Sequence, residues 1–209
     1  MNIYFDTEFT GLKKNATLVS IGLISESMRG FYAELTDYDK TYDDPWFKEN
    51  VLNHLVSENP EMEKYFLDQI DFERHIGTKE EIREKLTDFL LKFDEVQLVS
   101  DVCHYDMVLF IDLFGTAFDL PRNVNPSCHD INQDIAKLFN VSEKDAFDMN
   151  RERIVDAMSN DKEQKNPFKH NAFYDALCIQ KFYELYRRCE YEPAYIRSIR
   201  EKYYIMECK

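Results

Sequence analysis

The stretch NIYFDTEF at residues 2–9 and the stretch ATLVSIGLIS at residues 16–25 decide the fold. Both are rich in β-branched and aromatic residues, and the short GLKKN connection between them predicts a hairpin. Side chains alternate between the two faces of a strand, so Asp6 and Glu8 emerge on the same face. Their carboxylates are then near enough to share one cation or to bridge two. The alternative is an ordinary solvated strand face.

Helical patterns dominate the rest of the chain. Thr78 and Glu81 form a capping box, which predicts a helix over residues 78–93. EVQLVS at residues 95–100 predicts a strand directly after it. GFYAEL predicts a third strand. Further helices are predicted from Pro45, in DMVLFIDLFG, in HDINQDIAKLF, from Ala172 to Arg188 and after Pro193.

Strands followed by helices that alternate with at least one more strand predict an α/β domain, a mixed sheet flanked by helices. The 209 residues are enough for one full-sized domain, so we expect a single domain over residues 1–209. The polar stretch 141–168 is expected to be a partly helical insertion or a mobile loop within it.

Composition narrows the classes of partner. The chain has 26 basic and 40 acidic residues, a net charge of −14, which argues against a broad phosphate-binding surface. A short 3′ end of nucleic acid is still acceptable if local cations and metal ions supply positive charge. No stretch approaches the ~20 apolar residues of a membrane span, and the start MNIYFDTEF lacks the features of a signal peptide. We therefore expect no membrane association and a cytoplasmic location, where the five scattered cysteines stay reduced.

Two further clusters carry acidic residues. SDVCHYDMVLF offers Asp101 and Asp106 where a strand ends and a helix begins, a position where Asp is also a common helix cap. KHNAFYDALC offers His170 and Asp175, which would lie roughly 140° apart on one helix. They converge if His170 lies in the preceding loop and Asp175 in the second helical turn. Asp175 also points toward the apolar face, and a buried carboxylate needs a partner such as a metal ion.

The combined blocks FDTEFTGL, YDMVLF and HNAFYDAL resemble the three sequence blocks of DEDDh 3′–5′ exonucleases such as ribonuclease T and oligoribonuclease. The order D-x-E, D and H-x(4)-D matches in full over about residues 1–188. The resemblance is greatest to a small bacterial and phage branch of 3′–5′ exoribonucleases. It implies a ribonuclease H-like fold. The tyrosine of the YD pair departs from the phenylalanine or polar residue of many members, so the substrate contacts of that block stay open.

The resemblance also implies the chemistry. Two Mg²⁺ or Mn²⁺ ions would assist hydrolysis of the phosphodiester bond, with release of nucleoside 5′-monophosphates from the 3′ end of short or single-stranded RNA. His170 would be the general base, and Asp101 is the reserve candidate for the second block. The implied metal-binding residues are Asp6, Glu8, Asp106 and Asp175.

Substrate contacts are expected directly after the first block, at Phe9, Thr10, Gly11 and Leu12. Gly11 would let backbone approach the terminal nucleotide, and Phe9 would either stack on a base or belong to the core. Basic side chains that could contact phosphates are Lys165, Lys169 and Arg122.

Three alternatives remain at this level. A DNA exonuclease would use the same metal site, because the 2′-hydroxyl contact that separates RNA from DNA is not visible in the sequence. A binding or assembly module without efficient turnover belongs to another class, and the complete set of acids and histidine argues against it. A homodimer is also open, since Tyr195, Tyr203 and Tyr204 suit either an interface or the core.

Overall fold

The structure, a computed structural model, describes residues 1–67, 71–159, 168–189 and 193–207. Its described part contains one six-stranded sheet in the order β4-β3-β2-β1-β5-β6. The strands are β1 (Asn2–Phe9), β2 (Leu18–Ser25), β3 (Arg29–Leu35), β4 (Asp71–Gly77), β5 (Val96–Ser100) and β6 (Val124–Asp130).

The sheet is mixed, as predicted. β1 and β2 form the expected antiparallel hairpin, in which Asp6 pairs with Gly22, and β2 continues antiparallel into β3. The pairs β1–β5, β5–β6 and β3–β4 are parallel. β1 therefore lies in the interior of the sheet, with a neighbour on each side along its first half.

The helices of the described residues are α1 (Pro45–Asn50), α2 (Pro60–Leu67), α3 (Lys79–Leu90), α4 (Cys103–Phe114), α5 (Ile131–Phe139), α6 (Glu143–Phe147), α7 (Arg151–Ser159), α8 (Ala172–Cys189) and α9 (Pro193–Glu207). A short 3-10 helix, Leu52–His54, follows α1. The capping box of Thr78 and Glu81 is present at α3, and Gly115 ends α4. No helix among these residues is long and apolar enough to cross a membrane.

Two strands and one helix were not predicted from the sequence. β4 reads DFERHIG and β6 reads VNPSCHD, and neither shows an apolar alternation. Both lie at the edges of the sheet, where one side has no strand neighbour and polar residues and proline are tolerated. Their placement depends on pairing with β3 and β5 rather than on local sequence. The missed helix is α2.

Two apolar layers cover the sheet. Ile3, Phe5 and Phe31 pack under α3 and α4, whereas Tyr4 and Tyr32 pack on the opposite face under α5, α7, α8 and α9. Asp6 and Glu8 share the alternation of Tyr4, so they point toward the layer that contains α8. The fold thereby brings the first acidic pair under the helix that carries the last block.

The stretch 141–168 is partly helical, with α6 and α7 in its first part, while residues 160–167 lie outside the described residues. α7 packs against α8 and α9. The organisation of residues 1–209 as a single domain stays a prediction.

Candidate metal-binding and active site

The end of β1 forms the floor of the site. Within the described ranges, one group of three side chains brings potential metal ligands within 4.8 Å of one another, and it comprises Glu8, His170 and Asp175. Asp6 lies beside this group, since its charge interacts with those of Glu8 and Asp175. The first and third sequence blocks therefore meet at the end of β1.

Asp106 reaches the floor from the opposite layer, on the first turn of α4. Its Oδ1 accepts hydrogen bonds from the backbone N–H and the hydroxyl of Thr7, at 3.0 and 2.6 Å. Its Oδ2 accepts from the Ser100 hydroxyl at 2.8 Å. Asp106 is only 4% exposed. A carboxylate has about four acceptor positions, so three donors fix its orientation and leave one position for a cation.

A tight turn places His170 against Asp175. His170 adopts a left-handed backbone conformation (φ 65°) just before α8, and its N–H donates to Asp175 Oδ2 at 3.0 Å. Asn171 caps the helix by accepting from the N–H groups of Phe173 and Tyr174. Asp175 lies in the first turn of α8, not in the second turn that we expected. The histidine is in the loop, as predicted.

Burial and mutual repulsion disfavour the charged forms of the four acids. Burial, followed by the charges of neighbouring carboxylates, raises the pKa of Asp6 and of Glu8 well above their ordinary values. Burial also raises the pKa of Asp106 to about 7, against the opposing effect of its hydrogen bonds from Thr7 and Ser100. The pKa of Asp175 is raised to about 7, again mainly by burial. A cluster of this kind is relieved by positive charge among its oxygens.

His170 is held neutral. Burial, then the charges of Lys169 and His54, lowers the pKa of its imidazole to about 4. The indole of Trp46 packs edge-on against the ring, with 5.1 Å between centroids. The imidazole thus has a free base form at neutral pH, next to Glu8 and Asp175.

A cleft of about 420 Å³ opens over the floor. Asp6, Asp175 and Cys178 contribute to its lining, and so does the continuous segment 147–152, which we call the cleft wall. Asp101 also lines the cleft, but both of its oxygens are engaged by the guanidinium of Arg151, at 2.6 and 2.9 Å.

The predicted substrate segment, residues 9–12, directly follows Glu8 and does not contribute to the lining of this cleft. Phe9 packs against the apolar core, and the hydroxyl of Thr10 accepts from the N–H of Thr17 at 2.9 Å. Gly11 has φ +80°, and a Cβ there would lie 2.7 Å from the Tyr42 hydroxyl. Leu12 is 69% exposed. Contacts of these four with substrate stay predictions.

Of the three basic residues considered, Lys169 lines the cleft, whereas Arg122 lines a different depression beside Asp94 and Val124. Lys165 lies outside the described residues. Trp46 and Arg151 were not predicted from the sequence. Trp46 is the single tryptophan of the chain, and that was the signal that the sequence offered; in the structure its side chain is 56% exposed. Arg151 had no such signal, because its partner Asp101 is fifty residues away.

The chain is similar to known proteins in sequence and in fold. No protein-family profile matches the chain. Two curated proteins of Mycobacterium tuberculosis, from strains CDC 1551 and H37Rv and each named a 3′–5′ exoribonuclease, are 28% identical to it over 126 residues. That match covers 59% of this chain and 67% of each relative. This similarity supports an assignment of the chain to the 3′–5′ exonuclease superfamily.

A solved structure described as "3′-end specific recognition of histone mRNA stem-loop by 3′-exonuclease" has the same fold, with a TM-score of 0.56 at 10% sequence identity. The match covers 96% of this chain, which spans 63% of the length of that neighbour. The prediction of a ribonuclease H-like α/β fold is therefore confirmed. The curated relatives support the predicted 3′–5′ exonuclease activity, and the DEDDh subtype stays a prediction.

Proposed function

We propose that this exonuclease is a metal-dependent 3′–5′ exoribonuclease of the DEDDh type. The observation that carries the proposal is the convergence of Asp6, Glu8, Asp106 and Asp175 with a neutral histidine, His170, at the end of β1. Kinship with proteins named 3′–5′ exoribonucleases supports both the direction of attack and the choice of RNA.

The acids suit two Mg²⁺ or Mn²⁺ ions. Hard cations prefer carboxylate oxygens, and burial raises the pKa values of Asp106 and Asp175 to about 7, so that a bound cation would favour their charged forms. Asp6, Glu8, Asp106 and Asp175 would hold the ions, which when bound would stabilise the negative charge that develops on phosphate oxygens during hydrolysis.

The protein's own contribution is to place a base and a binding surface. The His170 ring would accept the proton of the attacking water, because burial leaves its nitrogen unprotonated at neutral pH. The hydrogen bond from its backbone to Asp175 fixes the turn, and Trp46 covers one side of the ring. The exposed remainder of the Trp46 indole offers a surface on which a base can stack.

Substrate size follows from the cleft and from charge. A volume of about 420 Å³ is in the range of sites for small ligands, which suits the terminal nucleotides of a single strand. Five acids among the lining residues oppose a long phosphate backbone beyond that point. We propose short or single-stranded RNA as substrate and nucleoside 5′-monophosphates as product, in the cytoplasm, with a homodimer as a possible assembly.

A ladder assay tests the proposal. Purified protein is incubated with 5′-labelled single-stranded RNA or DNA of matched sequence, with Mg²⁺, with Mn²⁺ and with EDTA. Shortening from the 3′ end that favours RNA, requires metal and is lost in Asp6→Ala supports it. Asp88→Ala, which removes an exposed carboxylate of α3 outside the cleft lining, is the matched control. Preference for DNA would select the DNA exonuclease, and binding without cleavage under any metal would select the binding module.

The role of His170 has its own test. His170→Ala should lower kcat by about 10²–10⁴-fold while Mg²⁺ still raises the melting temperature, because general base catalysis is lost and the carboxylates remain. A kcat within threefold of wild type would contradict that role.

A further inference from the structure

The guanidinium of Arg151, at the first position of α7, is saturated by acceptors. Nε donates to Asp101 Oδ2 at 2.6 Å, and Nη2 donates to Asp101 Oδ1 at 2.9 Å and to Asn132 Oδ1 at 2.7 Å. Nη1 donates to the carbonyl of Ala146 at 2.6 Å and to that of Met149. These bonds use all five N–H donors of an arginine. The side chain is only 15% exposed.

The acceptors belong to separate parts of the fold. Asp101 follows the last residue of β5, next to the floor of the site, and Asn132 lies in α5. Ala146 and Met149 belong to the end of α6 and the connection into α7. One side chain therefore joins the end of the central sheet to the segment that forms the cleft wall.

This geometry decides between two roles for Arg151. An arginine that binds substrate phosphate needs free N–H groups, and here each one already has a protein acceptor. The forked pairing with Asp101 is the arrangement that fixes orientation best, because two parallel hydrogen bonds define the plane of the guanidinium. The contacts of Arg151 therefore join parts of the fold to one another and leave no N–H group for a phosphate.

The same contacts define the role of Asp101. Its carboxylate lies close enough to raise the pKa values of Asp6 and Asp106, yet both of its oxygens are bound to a cation of the protein. A metal ligand at this position would have to give up that pair. The pairing explains how an acid can line the cleft without joining the four proposed metal-binding acids.

We propose that Arg151 is a positioning residue, anchored on Asp101, that fixes the cleft wall 147–152 over the floor and thereby sets the affinity for the 3′-terminal nucleotides. The inference rests on the proposed function, because the substrate it concerns is that of the exonuclease. We call the paired side chains of Arg151 and Asp101 the clamp. The surfaces that it would orient toward the RNA are the side chain of Phe147, which is 50% exposed, and the backbone of the cleft wall.

The kinetic test uses Arg151→Met, Asp101→Ala and their combination, with a single-stranded RNA oligomer and Mg²⁺. We expect each single variant to raise KM about tenfold or more, with a smaller fall in kcat, since a wall displaced by about 1 Å loses its contacts with substrate. The double variant should be no worse than either single one, because the two residues are the two ends of one clamp. Arg151→Lys, which keeps the charge but loses the fork, should lie between wild type and Arg151→Met.

Arg153→Met is the matched control. Arg153 is on the same helix and pairs with Glu207 at 2.6 Å, and neither residue lines the cleft. Its KM should stay within twofold of wild type. The remaining alternative is that Asp101 is a metal ligand, and Asp101→Asn tests it. If Asp101 bound a metal ion, this variant would lower kcat at least 100-fold, whereas loss of an anchor for Arg151 keeps kcat within about tenfold of wild type.

Hydrogen exchange supplies a readout that does not depend on activity. Amides of residues 147–159 should lose protection in Arg151→Met and in Asp101→Asn but not in Arg153→Met, while those of β1 stay protected. If the wild-type protein cleaves no oligonucleotide, the proposed function fails, and this measurement still tests the clamp. Unchanged KM in Arg151→Met, multiplied effects in the double variant, or unchanged exchange in the wall would each overturn the proposal.

Discussion

Gly22 in β2 allows α8, which carries Asp175, to lie close to the β1–β2 hairpin. Its replacement by alanine is the sharpest test of how α8 packs on the sheet. Gly22 is the partner of Asp6 across the β1–β2 pair. A Cβ at this position would lie 2.3 Å from the backbone N and Cα of Phe173 in α8. Backbone atoms cannot rotate away as a flexible side chain does, so α8 itself has to move.

The size of the movement follows from contact distances. Ordinary contacts of a Cβ begin at 3.4 Å, so α8 must retreat by about 1 Å. Overpacking of a core costs about 1–3 kcal/mol and more when backbone must shift, so we expect a loss of about 2–4 kcal/mol. In a chain of 209 residues this corresponds to a fall in Tm of about 5–15 °C. The same shift separates Asp175 from Glu8, and a misplacement of about 1 Å lowers kcat by about 100-fold.

Urea unfolding and RNA hydrolysis with Mg²⁺ would be measured on Gly22→Ala and on Gly77→Ala. Gly77 is a suitable control because a Cβ there meets only the flexible side chain of Glu81, at 2.7 Å from its oxygen. We expect a loss below about 1.5 kcal/mol and unchanged kcat for the control. If Gly22→Ala kept both its Tm within 3 °C and its full kcat, the close approach of α8 to the hairpin would not be what sets the site.

Three further predictions concern charge and capping. Asp106 and Asp175 have pKa values raised to about 7 in the folded protein, so the metal-free fold binds these protons more tightly than the unfolded chain does. The stabilisation by these two groups is therefore greatest below about pH 4 and is lost as the pH rises through about 7. Thermal melts in EDTA should show a Tm that falls from pH 5 to pH 8, and Mg²⁺ should reverse that fall. A Tm that rises over this range would contradict the repulsion among the buried carboxylates. Lys169 lines the cleft, and we expect its ammonium to contact a phosphate, so Lys169→Met should reduce the slope of log KM against log salt concentration by about 0.7. Lys85 is an exposed lysine of α3 outside the cleft lining, and Lys85→Met should leave the slope unchanged. Asp130→Ala should lower the free energy of unfolding, measured in urea, by about 2–3 kcal/mol. The Asp130 carboxylate accepts from the N–H groups of Val102 and Cys103 at the start of α4 and of Asn132 in α5, so it caps both helices. A loss under 0.5 kcal/mol would refute this double capping role.

Local signals in the sequence were sufficient for the centre of the fold. β1 and β2 carry their own apolar patterns, and Thr78 with Glu81 marks the start of α3 without help from other parts of the chain. These features depend on neighbours in sequence, which is why they could be predicted.

Features that depend on distant partners were not predictable. β4 and β6 become strands because β3 and β5 offer them an edge, and their own residues do not require it. Asp101 and Asp106 look alike in sequence, and only Arg151 and Thr7 distinguish a clamped carboxylate from one held by hydroxyl and backbone donors. The cleft is lined mainly by residues that follow β5, and the substrate contacts predicted at residues 9–12 stay predictions.

Identification of the product tests the central claim most directly. A single-stranded RNA oligomer with a free 3′-hydroxyl would be incubated with wild-type protein and Mg²⁺, and the small products identified by mass spectrometry. We predict nucleoside 5′-monophosphates that appear one at a time from the 3′ end, with none in EDTA and none from Asp175→Asn. Nucleoside 3′-monophosphates, internal fragments or undiminished release from Asp175→Asn would contradict a 3′–5′ exoribonuclease built on these carboxylates.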